Sequence, residues 1–208
     1  MPPATVLATW VAIGVWGMCG QAPAAIPRPI VTLRVFAHAM MDVPALEQAT
    51  STAGRLLESA GIGIEWRNCD GVQETCAQPD TATQVTVLLL PMTKFTRDDV
   101  AAEVLHDRPM PMATVLVYMP NLADRLRSVH QRAGRSNPAL SSLQMEDLVG
   151  LAIAHEIGHA SGLPHAPAGI MNARITREDL LALVTSRLTF TPKEAAVLAA
   201  FLRLKSAS

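Results

Sequence analysis

The chain has 208 residues, half of them hydrophobic and 17% charged, with a formal net charge of −1. That length suits one domain with a sizeable core. The near-zero charge, with no basic run and no interleaving of aromatic and basic residues, excludes a nucleic-acid-binding protein. Aromatic residues make up only 4% of the chain, so the core must be built from Leu, Val, Ile, Ala and Met.

Residues 4–19 form an apolar, uncharged stretch, and Ala22-Pro23-Ala24 follows as a small-x-small pattern. Together they read as a signal peptide over residues 1–25. This implies a secreted or periplasmic protein without stable membrane association once the leader is removed. An N-terminal anchor is the alternative, although the run is shorter than the about 20 residues that span a bilayer. Residues 30–208 then read as a single domain, expected to be monomeric.

Ile30 to His38 alternates and is rich in β-branched residues, which predicts a first strand. From Val43 to Ala60, Leu46, Ala49, Ala53, Leu56 and Leu57 recur at helical spacing, and Gly61 ends the helix. Gly63 to Arg67 reads as a second strand. Cys69 and Cys76 flank a polar loop. In an oxidising compartment they form a loop-closing disulfide; in a reducing one they stay free thiols. Gln84 to Leu90 reads as a strand buried on both faces. Val100 to His106 fits a short strand or a helical turn, and Ala113 to Met119 a further strand stopped by Pro120. Asn121 to Pro138 is polar and basic and reads as a helix followed by a loop.

Ser141 and Gln144 have the spacing of a capping box, predicting a helix from there to about Ala160. Leu148, Ala152, His155 and His159 share one face of it, while Val149, Ile153 and Ile157 point to the core. Thr176 to Asp179 and Thr191 to Glu194 are two more capping signals. The second has Pro192 at the first helical position and opens a final helix to Leu204.

The stretch from His155 to His165, HEIGHASGLPH, carries the chemistry. His155 and His159 lie one helical turn apart on the same face, so both imidazoles can reach one metal ion. Glu156 stands beside the first and can act on water there. Gly162 lets the chain leave the helix through a left-handed conformation and return His165 as a third ligand. Three protein ligands leave a fourth position open, which is the arrangement of a catalytic zinc rather than a structural one. Met171 follows the third histidine after Gly169, which supports a tight turn.

On these residues the segment from His155 to Met171 resembles the zinc-binding consensus and Met-turn of the metzincin metalloendopeptidases, and the eleven-residue string is most similar to the matrixin branch. The resemblance implies an α+β fold. Its parts are a twisted mixed sheet with an edge strand lining the cleft, an active-site helix, the Met-turn and a C-terminal helix. It implies one catalytic Zn²⁺ held by His155, His159 and His165, with Glu156 as general base and acid and Met171 as the Met-turn residue. It also implies a peptide or protein substrate, paired in part with the edge strand around Glu103 to Asp107. Ala166, the short gap between His165 and Met171, and Ala173 depart from the branches that carry serine or tyrosine nearby. The lack of a cysteine pair after His165 departs from the archaemetzincin branch. The subfamily stays open.

The resemblance thus implies a secreted zinc endopeptidase. A zinc-holding binding module without turnover and an amidase on the same fold are the alternatives, and an intact Glu156 speaks against the first of these. Arg174, in the segment after the Met-turn, is a candidate for favouring acidic side chains, although a solvated arginine is the preferred reading. His38, His106 and His130 read as surface or strand-end residues.

Overall fold

The computed structural model describes residues 28–38, 40–70, 76, 83–92, 100–106, 113–133 and 137–206. The predicted leader and residues 71–75 of the cysteine loop lie outside them. Five strands form one sheet: β1 (Ile30–Phe36), β2 (Gly63–Asn68), β3 (Thr83–Leu90), β4 (Ala102–His106) and β5 (Ala113–Tyr118). Their order is β2-β1-β3-β5-β4. The first four neighbours run parallel, and β4 pairs antiparallel with β5 at the edge. Val100 to His106 therefore resolves as a strand rather than a helical turn, and the expected α+β architecture is present.

Helix α1 (Val43–Glu58) crosses from β1 to the parallel β2. Asp42 caps its start, its side chain accepting from the Ala45 N–H at 2.9 Å. Gly61 ends the turn that follows with φ +74°. Helix α2 (Met119–Ala133) follows β5 without a gap. Pro120 does end the strand region, and it sits in the first turn of the helix instead of just ahead of it. Proline is tolerated there because the first N–H groups of a helix have no intrahelical acceptor.

The expected start of the active-site helix at Ser141 is not what forms. Asn137 caps a short helix α3 (Pro138–Ser141), its Oδ1 accepting from the Ala139 N–H at 3.1 Å. The long helix α4 spans Met145–Ala160, and Asp147 accepts from the Gln144 backbone N–H at 3.0 Å. Asn137-Pro138 is the stronger helix start upstream, and Glu146 and Asp147 place negative charge where the dipole of α4 favours it. Helices α5 (Arg177–Val184) and α6 (Pro192–Ser206) begin at the two predicted caps.

The core face of the sheet carries Val31, Leu33, Val35, Val85, Val87, Leu89, Val115 and Val117, all buried. It joins Leu46, Ala49, Ala53 and Leu56 of α1 and Val149, Ile153 and Ile157 of α4 in one cluster. On β3 the alternate residues Thr86, Leu88 and Leu90 are only half-buried. Full burial of both faces is therefore corrected to one face. The other pairs Gln84 with Arg34, whose Nη1 and Nε donate to its amide oxygen at 3.0 and 3.1 Å. Cys69 and Cys76 form a disulfide with Cα atoms 5.7 Å apart. No described helix is long and apolar enough to cross a membrane.

Helices α1 and α4 meet with their backbones in contact. A Cβ on Gly150 would stand 2.5 Å from the Ala49 carbonyl oxygen and 2.7 Å from the Thr52 Cβ. Backbone cannot yield as a side-chain tip can, so Gly150→Ala should force the helices apart. We expect it to lower unfolding stability by about 1–3 kcal/mol, seen as a lower midpoint in chemical denaturation. A wild-type midpoint would show that this approach is not tight.

Candidate metal centre

The site is built where α4 ends. Ser161 is the last half-helical residue, and the Gly162 N–H donates to the His159 carbonyl at 2.9 Å. The Leu163 N–H donates to the Gly158 carbonyl at 3.0 Å. These paired bonds, with Gly162 at φ +87°, close the helix through a left-handed residue. The exit points the chain back toward the helix face that carries His155 and His159, and His165 joins them.

The three imidazoles converge. His159 Nε2 lies 3.0 Å from His155 Nε2 and 3.1 Å from His165 Nε2. On the opposite side of two rings, Nδ1 faces a carbonyl oxygen: His155 at 2.7 Å from Ile170 O, His159 at 2.8 Å from Leu163 O. A carbonyl only accepts, so both Nδ1 atoms carry the proton. In the neutral ring Nε2 then presents a lone pair. Two acceptors 3.0 Å apart repel unless a cation sits among them. Around a tetrahedral zinc with bonds of about 2.0–2.1 Å, ligand nitrogens lie roughly 3.3 Å apart. The donor set and its spacing fit a metal ion, and no second group of three such ligands occurs among the described residues.

Burial is the main influence pushing the His155 imidazole down to about 4, with the other two histidines adding to it and the Ile170 carbonyl opposing it. Glu156 is buried, at 5% exposure, although it lines the cleft. Burial first, and the nearby Glu103 second, push its carboxyl up to about 7, while the Val104 backbone N–H, donating to it, works the other way. Glu103 in turn accepts a hydrogen bond from the Tyr118 hydroxyl. Burial and that carboxylate hold the Tyr118 phenol up at about 12. The chain's one tyrosine is thus tied to the edge strand.

The turn after His165 is pinned to the helix. The Ala166 N–H donates to the Met171 carbonyl at 2.8 Å, and the Asn172 N–H to the Gly169 carbonyl at 3.1 Å, with Gly169 at φ +83°. Met171 is fully buried. A Cβ on Gly158 would stand 2.3 Å from its sulphur, so the thioether rests on the helix backbone between the histidines. This explains the glycine inside the motif, which the sequence reading passed over. The reading also passed over the second task of Asp179. Beyond capping α5, its Oδ1 accepts from the Gly169 N–H at 3.0 Å and its Oδ2 from Asn172 Nδ2 at 2.9 Å. The Thr176 N–H and Oγ1 donate to Oδ2 as well, each at 2.9 Å.

A cleft of about 960 Å³ opens on the histidines. Ala102, Glu103 and Val104 of β4 line it, as do α2 and residues 172, 173, 175 and 177. Arg174 is exposed and does not line it. The arginines in the wall are Arg125 and Arg132 of α2 and Arg177 of α5, none of which sequence spacing gave reason to choose. His130 is spent elsewhere, its Nε2 at 3.0 Å from the Leu143 carbonyl. His38 is exposed, Asp107 lies outside the described residues, and His106 ends β4.

Burial alone would raise the Asp179 carboxyl, but its four donors outweigh this and leave it below the usual carboxylate range. A depressed folded pKa contributes stability that is complete above the unfolded value of about 3.9 and fades as pH falls through the folded value. Asp179→Ala should lower stability at pH 7 by about 1.5–3 kcal/mol, and its stability should fall less steeply than the wild type's in acid. Denaturation series from pH 2 to 7 measure both, and parallel curves for the two proteins would remove this role.

No protein-family model matches the chain, and no curated protein sequence matches it. Among solved structures it is similar to a zinc-dependent peptidase from Methanocorpusculum labreanum, at 17% identity over 80% of this chain and 99% of that one, with a TM-score of 0.46. It is similar also to an archaemetzincin from Methanopyrus kandleri, at 16% identity over 86% of this chain and 99% of that one, with a TM-score of 0.48. Neither likeness carries the functional reading, which rests on the geometry of the site.

Proposed function

We propose that the chain is a secreted zinc endopeptidase of metzincin type. The observation that carries the reading is the convergence of three Nε2 atoms, those of His155 and His159 presenting lone pairs, beside a buried carboxyl group. His155, His159 and His165 would hold the ion. When bound, zinc supplies Lewis acidity, which lowers the pKa of water at the site toward about 7 and polarises a carbonyl.

The chain's own residues do the rest. Glu156 takes the proton of the attacking water and passes it to the leaving amine as the peptide bond breaks. The Val104 N–H, donating to Glu156, holds the carboxylate against the edge of the sheet. The Ile170 and Leu163 carbonyls keep the imidazoles in the tautomer that leaves Nε2 free to ligate. Strand β4 is the last in the sheet order and lines the cleft. An extended peptide can therefore add to it as a further strand, which lays its carbonyls past the histidines. Compartment is read from the leader together with the Cys69–Cys76 disulfide, a bond that persists in oxidising surroundings.

Purified protein should bind one zinc per chain by elemental analysis, and His159→Ala should abolish stoichiometric binding. Glu156→Gln should keep the metal and lose about 10²–10⁴-fold in kcat/KM on a peptide library followed by mass spectrometry. Equal turnover by wild type and Glu156→Gln would end the proposed proton transfer. A wild-type protein that holds zinc and cuts nothing would end the peptidase reading.

A further inference from the structure

The cleft contains a cation that no described side chain neutralises. Arg125, half-buried on α2, lines the same cleft as His155, Glu156 and His159. Its Nη2 donates to the Ile175 carbonyl, in the segment just past the Met-turn. Its Nε is enclosed and has no hydrogen-bond partner. A guanidinium offers five N–H donors in a planar fork suited to a carboxylate, and one backbone carbonyl uses a small part of that capacity.

Among the described residues no carboxylate answers it. Asp124, its neighbour at the cleft, is paired with Arg127 at 2.6 Å. Glu103 and Glu156 line the cleft too, but the charge that bears on Arg125 is a second cation, Arg132. Burial first and Arg132 second push the Arg125 guanidinium below its ordinary value. Arg177 adds a third positive side chain to the lining. A half-buried guanidinium left without a counter-ion is unfavourable unless something that enters the cleft supplies one. Exposed Arg174, the position that sequence alone suggested, has no comparable burial and no place in the wall.

We propose that Arg125 is a specificity-determining residue that binds a carboxylate of the substrate: an aspartate or glutamate side chain, or the free C-terminus of a peptide. The inference rests on the peptidase reading for its turnover, and on the cleft alone for its binding. Arg125 acts on the bound peptide and takes no part in the proton transfer assigned to Glu156.

The test uses matched peptides with the full-length chain. One set has blocked ends and carries Asp or Glu, against Asn or Gln, at each position in turn. The other has no acidic side chain and ends in either a free carboxylate or an amide. With zinc-loaded wild type, one set should show kcat/KM at least about tenfold higher for the acid member, and the set that does so identifies the source of the carboxylate. In Arg125→Gln, which removes the charge and keeps a polar amide, the acid-to-amide ratio should fall to about one. Arg125→Lys should give an intermediate ratio, since it keeps the charge and loses the fork.

Binding is read separately by fluorescence anisotropy of the same peptides, fluorescein-labelled, on metal-free protein. The acid member should bind more tightly, and added salt should shrink the difference. Should Arg125→Gln fail to fold, the ratio in Arg125→Lys decides: a wild-type value there overturns the role of the Arg125 fork. Wild type that cuts and binds acid and amide peptides equally overturns the carboxylate site while peptide hydrolysis stands. Wild type that cuts neither but binds the acid member more tightly overturns the peptidase reading and upholds the site.

Discussion

Three imidazole nitrogens aimed at one point form the constraint around which this corner of the molecule is arranged. The Nε2 atoms of His155 and His159 are both acceptors, and acceptors 3.0 Å apart repel. The fold holds them together with bonds made elsewhere. Two backbone carbonyls fix the rings, the left-handed exit at Gly162 returns His165, and Asp179 gathers the loop that carries Ile170 and Met171. A cation relieves the repulsion directly. Metal binding and the local stability of the segment from His155 to Asp179 are therefore coupled, as expected wherever ligands are preformed against one another.

The same segment shows why some features were legible in the sequence. A 3.6-residue period fixes the common face of His155 and His159, and a glycine after the helix marks its exit, so both follow from local rules. The caps at Thr176 and Thr191 are local too. What escaped depends on partners far along the chain. Gly158 is needed because Met171 lies against it, and Gly150 because Ala49 and Thr52 do. Arg125 meets Ile175 across 50 residues of sequence. The misplaced start of α4 is of another kind: Asn137-Pro138 opens a separate short helix that uses up Ser141, and α4 begins anew at the Gln144–Asp147 capping box. Likewise, an apolar run such as that of β3 records hydrophobicity but not whether a helix covers its second face.

Chemistry and selection are assigned to different elements of the cleft. Helix α4 supplies two metal-facing histidines and Glu156, locked by packing on α1 and the sheet. Helix α2 supplies Arg125; it packs directly on α4 and is bonded to the Ile175 carbonyl. That bond matters because Ile175 stands four residues after Met171. The wall that would grip a substrate is thus tied to the loop that orients His155. A change on α2 can alter what is held without touching a ligand. A change in the loop from Gly169 to Asp179 must disturb both, since the Asp179 carboxylate that binds Gly169 and Asn172 also starts the helix behind Ile175. On this arrangement selectivity can change through α2 while the metal-binding stretch stays fixed.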